Sequence, residues 1–158
     1  RPQEYKFIYS RDIPKILDGK QDDYYIFTVT RNPWERVVSY FHYLQQIRQP
    51  PHNLPKNVKF INWVKARGFR TLQTQMSQLS DDFPCNVSTH INYVARLERL
   101  SDDWPKICEG MGISCEMMHD KKSKHKHYSD YYNDETKDIV YKFYKDDVDC
   151  LNYKFQTK

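Results

Sequence analysis

The sequence predicts an α/β chain, a parallel sheet flanked by helices, and three observations carry that prediction. Residues 24–30, YYIFTVT, form a short β-branched and aromatic run without polar alternation, the pattern of a strand buried on both faces. A strongly signalled helix start follows at once in NPWERVVSYFHYL. A second strand-like run, INYVARLE (Ile91 to Glu98), leads in the same way into SDDWPKICEGMG, whose aspartates suit the positive end of a helix dipole. Strand-then-helix units along one chain are the usual signature of an α/β sheet.

The elements follow in order. Asn32 is placed to cap the first helix, Pro33 suits its first position, and Glu35 stands at the third, where it can reach back to the cap. Trp34, Val37, Val38, Phe41 and Leu44 recur at helical spacing and mark the inward face. PPHNLP (Pro50 to Pro55) reads as a loop. NVKFINWVKARG (Asn57 to Gly68) reads as a helix with Phe60, Ile61 and Val64 inward and Gly68 ending it. Residues 69–90 carry few signals and read as irregular. In the next helix Ser101 is the expected cap, Pro105 still falls in the first turn, and Gly112 closes it. Asn133 or Asp134 caps a last helix with Ile139, Val140, Phe143 and Tyr144 inward. Tyr153 to Phe155 forms a short strand or a packed tail.

The 158 residues suit one domain with a real core, spanning the whole chain. Thirteen tyrosines and eight phenylalanines supply much of the core mass, since only 39% of residues are hydrophobic. Four glycines argue against a glycine-rich nucleotide loop, and no apolar run is long enough to span a bilayer. The net charge of +4 is unevenly placed: HDKKSKHKHY (His119 to Tyr128) sets a run of lysines and histidines against a single aspartate. Such a cluster attracts phosphates, sulfates or acidic glycans, though it also reads as a solvated loop. Because the charge is confined to one loop and no recognition motif accompanies it, nucleic acid is not an expected partner. His125 and His127 alternate with lysines that would repel a cation, so no metal is expected.

Cys85, Cys108, Cys115 and Cys150 include no CxxC pair, which argues against a zinc ribbon or a thioredoxin-type site. Four thiols fit two disulfides or none. CNVS (Cys85 to Ser88) contains an N-x-S sequon, which has meaning only in a secretory pathway. The compartment is therefore open on this reading.

Two residues are explained by neither capping nor core packing. Ligands of open α/β sheets bind beyond the carboxyl ends of the strands, and Arg31 stands at that end. The helix N-terminus behind it is a ready anion site. Ser39 lies seven residues past the cap, about 10 Å along the axis. It points about 160° away from the apolar stripe. A guanidinium and a hydroxyl, both clear of the core, can hold one phosphate between them. The plain alternatives are an ion pair for Arg31 and an ordinary exposed helix position for Ser39.

IFTVTRNPWERVVSYFHYL closely resembles the 3′-phosphate-binding motif of sulfotransferases, in particular the carbohydrate sulfotransferases related to the heparan sulfate and chondroitin enzymes. NYVARLERLSDDWPKICEGMGI resembles the family segment in which a strand ending in an acidic residue leads into an acid-capped helix. KSKHKHYSDYYNDETKDIVYKFYKDDVDCLNYKF is similar to its C-terminal segment of basic loop, paired tyrosines, final helix and aromatic tail. Together the three segments cover most of the chain from about residue 20 onward.

The resemblance implies a P-loop-kinase-like parallel sheet flanked by helices. It implies 3′-phosphoadenosine 5′-phosphosulfate as cosubstrate, adenosine 3′,5′-bisphosphate as product, a carbohydrate hydroxyl as acceptor, and no metal. Arg31 and Ser39 map onto the residues that bind the cosubstrate's 3′-phosphate. Lys122, Ser123 and Lys124 would close over the nucleotide or meet a sulfated glycan, and Tyr131 and Tyr132 would stack on a ring or pack in the core. The family also uses a first strand–loop–helix unit whose lysine and Ser/Thr grip the 5′-phosphosulfate. DIPKILDGK (Asp12 to Lys20) lacks the small residues and the Ser/Thr. It also leaves too few residues before Tyr24 for a parallel crossover. The expectation is that this unit lies outside the sequence, supplied by a preceding segment or by a partner chain, and that the chain is the C-terminal portion of a larger domain. His42, His90 and Glu98 are the candidates for a general base within the chain. The competing expectation is a truncated or degenerate relative that binds nucleotide or anionic glycan without catalysis.

Overall fold

The computed structural model describes residues 8–47, 54–82, 85–114 and 126–158. In chain order the elements are α1 (Ile13–Ile16), β1 (Phe27–Thr30), α2 (Pro33–Gln46), α3 (Phe60–Lys65), α4 (Met76–Leu79), β2 (Ser80–Asp82), β3 (Asn86–Val87), β4 (Tyr93–Arg96), α5 (Leu100–Gly110), α6 (Asp134–Phe143) and α7 (Lys145–Cys150). They belong to two compact units that alternate along the chain. One is built from Arg1–Arg31 and Thr74–Lys121, the other from Asn32–Gln73 and Lys122–Lys158.

In the first unit β1 and β4 pair in parallel, from Phe27 opposite Tyr93 to Thr30 opposite Arg96. The strand is shorter than the apolar run suggests. Gln21–Asp23 coil into a 3-10 turn, and the Ile26 N–H donates to the Asn92 side chain at 2.7 Å instead of to a strand. The Tyr25 ring lies against α5, so close to Gly110 that a Cβ there would stand 2.2 Å from it. The described residues of 69–90 hold more regular structure than their sequence signals imply. They hold α4 and an antiparallel β2–β3 pair with an irregular register.

Helix α5 departs from its expected start. A 3-10 turn, Leu97–Arg99, continues from β4 directly into the helix, which makes Arg99 the cap position and places Ser101 inside the first turn. Pro105 accordingly falls in the second turn, where it withholds an N–H that an intrahelical bond would use. Asp103 does not serve the helix dipole alone. Its side chain is fully buried (0% exposed) and accepts bonds from the Arg96 backbone N–H (2.9 Å), the Tyr93 hydroxyl (3.0 Å) and the Arg99 guanidinium (3.3 Å). The far end closes as the sequence suggests. Gly112 takes φ +67 and its N–H donates to Glu109 O, while the Ile113 N–H donates to Cys108 O, a Schellman closure.

The second unit is a helical packing of aromatic side chains. Trp34, Val37, Val38 and Phe41 of α2 are buried, as their spacing predicts, together with Phe60, Trp63 and Val64 of α3 and Val140 of α6. Helix α3 is shorter than expected, and Trp63 is one of its core residues. It ends at Lys65, and Arg67, just past the Ala66 cap, adopts the left-handed conformation (φ 59) that Gly68 was expected to supply. Gly68 answers a different need: a Cβ would stand 2.1 Å from the Trp63 indole nitrogen. Asn133 caps α6 in a reciprocal box with Thr136, at 2.9 and 3.0 Å. The chain's last residues form a packed tail without strand pairing. Phe155 meets Trp34, Tyr128 and Tyr132 edge-on at centroid distances of 5.3–5.7 Å.

Asp103 is the most consequential buried charge in the first unit. Burial opposes its ionisation most strongly, but the three hydrogen bonds outweigh it and hold the carboxyl below its ordinary 3.8. A depressed pKa contributes stability that is complete above the unfolded value and is lost as pH falls through 3.8 toward the folded pKa. Asp103→Ala leaves the Arg96 N–H and the Tyr93 hydroxyl without this acceptor and should cost about 3 kcal/mol near neutral pH, read as a melting point lower by about 6–12 °C. The gap between the two proteins should narrow as thermal scans are repeated below pH 3.8.

Candidate functional site

The parallel pair ends at its carboxyl edge in a set of side-chain caps. Thr30 turns its hydroxyl to the Ala95 carbonyl at 3.0 Å. The next residue, Arg31, is past the ladder, and its backbone is completed by one buried side chain. Gln75 Oε1 accepts from the Arg31 N–H at 2.7 Å, and Gln75 Nε2 donates to the Arg31 carbonyl at 2.9 Å. The amide thus acts as a one-residue strand segment. With both backbone groups held, the Cα–Cβ direction of Arg31 at the strand end is set. Gln75 carried no signal in the sequence, because nothing local marks a glutamine as a partner for a backbone 44 residues away.

The second unit begins at Asn32. Its side chain accepts from the Trp34 N–H at 3.1 Å, the expected cap. Its amide nitrogen also donates to the Lys154 carbonyl at 2.9 Å, which ties the start of α2 to the tail of the same unit. Ser39 is half-buried on α2, outside the buried stripe, as the helical wheel predicts. Arg36, on the same helix, donates to the Gln73 carbonyl at 2.6 Å. Burial pushes its pKa down, countered by Tyr144 and Asp147 beside it.

The remaining candidates are dispersed. His42 Nε2 lies 2.9 Å from the Tyr131 hydroxyl, and its ring packs edge-on against Phe41 and Tyr131. His90 belongs to the first unit, where its N–H donates to Ser88 Oγ at 3.3 Å. Glu98 is exposed on the 3-10 turn before α5. Lys122, Ser123, Lys124 and His125 lie outside the described residues. His127 accepts from the Ser129 N–H and starts the 3-10 turn Tyr128–Tyr131. Tyr131 and Tyr132 both pack against the aromatic core, and the Tyr132 hydroxyl donates to the Trp34 carbonyl at 2.9 Å. Among the described residues no group of three or more His, Cys, Asp or Glu could hold a metal ion, and no helix is long and apolar enough to cross a membrane.

Arg31 follows the carboxyl end of a parallel strand in the first unit, and Ser39 is half-buried on α2 in the second; a guanidinium and a hydroxyl are each donors of the kind phosphate oxygens accept from. A model of the sulfotransferase family matches residues 3–154 of this sequence. The chain belongs to the sulfotransferase family. That places it among transferases that move a sulfuryl group from a nucleotide cosubstrate to an acceptor. No curated protein and no solved structure matches it.

Gln75→Leu keeps the volume of the clamp and removes both of its hydrogen bonds. It should lower stability by roughly 2 kcal/mol, because the Arg31 N–H and carbonyl lose their partners. Chemical denaturation of the two proteins checks this, and equal midpoints would show that the clamp carries no stability.

Proposed function

We propose that this chain takes part in sulfuryl transfer from 3′-phosphoadenosine 5′-phosphosulfate to a hydroxyl of a carbohydrate acceptor, and that Arg31 and Ser39 bind the 3′-phosphate of that cosubstrate. The observation that carries this reading is the strand-to-helix junction in a chain of the sulfotransferase family. Arg31 follows β1 with its backbone clamped by Gln75, and Ser39 sits eight residues on, outside the buried stripe of α2.

The roles follow from the chemistry of the side chains. The Arg31 guanidinium supplies two parallel N–H donors and a permanent positive charge, which match a phosphate dianion. The Ser39 hydroxyl supplies a further donor. These contacts hold the nucleotide through a group remote from the reacting sulfur, so they position the donor and do not enter the bond-making step. Lys122, Ser123 and Lys124 add basic and hydroxyl donors suited to the nucleotide or to a sulfated glycan. When bound, the cosubstrate supplies the activated sulfuryl group and a bisphosphate leaving group. The carbohydrate acceptor rests on the likeness of the three sequence segments to the carbohydrate-acting branch of the family. His42, His90 and Glu98 are the proposed candidates for the base that receives the acceptor's proton, and only the residue with that role should move the acidic limb of the pH–rate profile when replaced.

Titration calorimetry tests the cofactor assignment. Arg31→Ala should weaken adenosine 3′,5′-bisphosphate on the order of 10- to 100-fold, the equivalent of losing a charge-assisted hydrogen bond. Ser39→Ala should weaken it several-fold. Both losses should disappear with adenosine 5′-phosphate, which lacks the 3′-phosphate. Equal losses with both nucleotides would reject the assignment. Binding without sulfate transfer to any unsulfated glycan would favour the non-catalytic reading.

A further inference from the structure

We propose that Asn86 is an N-glycosylation site, and that the sugar is attached before the surrounding β2–β3 structure closes. Two independent observations lead here. The first is the redox state of the thiols: Cys85, Cys108 and Cys150 are all disulfide-bonded, and no cysteine among the described residues is free. Disulfides of this density persist in oxidising compartments, and in a eukaryotic cell those are reached through the lumen where N-linked sugars are added. The second is the sequon Asn86-Val87-Ser88, the sole N-x-S/T in the chain, with a residue other than proline at its centre. Any N-linked glycan must therefore sit on Asn86.

The structure gives the three sequon residues opposite environments. Asn86 is exposed on β3, so a glycan on it has open space outward. Ser88 is buried, with 4% of its surface exposed. Its hydroxyl bonds Asp81 and is the leading reason the Asp81 carboxyl sits below the usual range; the Ser10 hydroxyl, 2.8 Å from Asp81, adds to it. The His90 N–H also donates to Ser88 Oγ. The hydroxyl that a glycosylating enzyme must read is sealed once the segment folds, and the residue before the sequon, Cys85, is locked in a disulfide. The acceptor is thus competent only in the unfolded or nascent chain, while the product fits the folded one.

The transfer balances simply. Asn86 Nδ2 forms a bond to C1 of the reducing sugar of a lipid-pyrophosphate-linked oligosaccharide. The C1–O bond to pyrophosphate breaks, the lipid pyrophosphate leaves with the electron pair, and one amide proton is released.

The test is to express the chain through the endoplasmic reticulum of a eukaryotic cell and treat it with the amidase that removes N-linked glycans. The expected result is a mobility increase on treatment, with aspartate at position 86 in the released peptide by mass spectrometry. Asn86→Gln, an exposed position that should leave folding intact, should abolish the shift, and Ser88→Thr should retain it. A second arm presents purified protein, unglycosylated and either folded or reduced and unfolded, to membranes carrying the glycosylating enzyme. Only the unfolded form should be modified. An oxidised, folded product from the cell that shows no shift overturns the site. Equal modification of the folded form overturns the order of events.

Discussion

Backbone hydrogen bonds at the carboxyl end of the β1–β4 pair are the constraint on which the first unit depends. A two-stranded parallel sheet runs out of partners where its strands stop, and buried N–H and C=O groups left bare there are costly. Two buried polar side chains from elsewhere in the unit supply the missing partners. Gln75 completes β1 by pairing with both backbone groups of Arg31, and Asp103 completes β4 by accepting the Arg96 N–H. Gln75 acts across 44 residues of chain, and Asp103 reaches back seven residues from the helix that follows β4. That same edge is where α/β sheets bind ligands, so the devices that stabilise the strand ends also fix where Arg31 begins.

The second unit meets the same requirement differently. Its core is crowded with tyrosines, and each buried hydroxyl needs a partner. Tyr144 donates to the Leu72 carbonyl at 2.7 Å, Tyr132 to the Trp34 carbonyl, and Tyr128 accepts from the Gln156 N–H at 2.6 Å. Burial raises the pKa of Tyr144 and Tyr132, so both remain neutral donors at any physiological pH. These rings are therefore committed to holding helices and tail together. Ser39 stands outside the buried stripe of α2 and takes no part in that packing core.

The strongest local signals in the sequence were legible and correct. Asn32 and Pro33 start α2, its apolar stripe is the buried one, Gly112 closes α5, and Asn133 caps α6. The errors share one cause, which is that a neighbour in space outranked a neighbour in sequence. Ser101 and Pro105 looked like cap and first-turn residues until the turn after β4 began the helix early. Gly68 looked like a helix terminator but makes room for the Trp63 ring. Residues 69–90 looked featureless because Gln75 and Asp81 act through contacts with residues far along the chain.

For the candidate site the division is similar. The sequence by itself singled out Arg31 and Ser39, because both stand outside the capping pattern and the apolar period, and those patterns are local and readable. It also determined the family, through three segments in a fixed order. Only the tertiary structure decided how Arg31 is held, through Gln75, and which acidic residue locks β4 to its helix. Helix periodicity and caps are set by residues within a turn or two of each other, so sequence spacing encodes them. A buried polar partner is chosen by folding geometry, and no spacing rule records it.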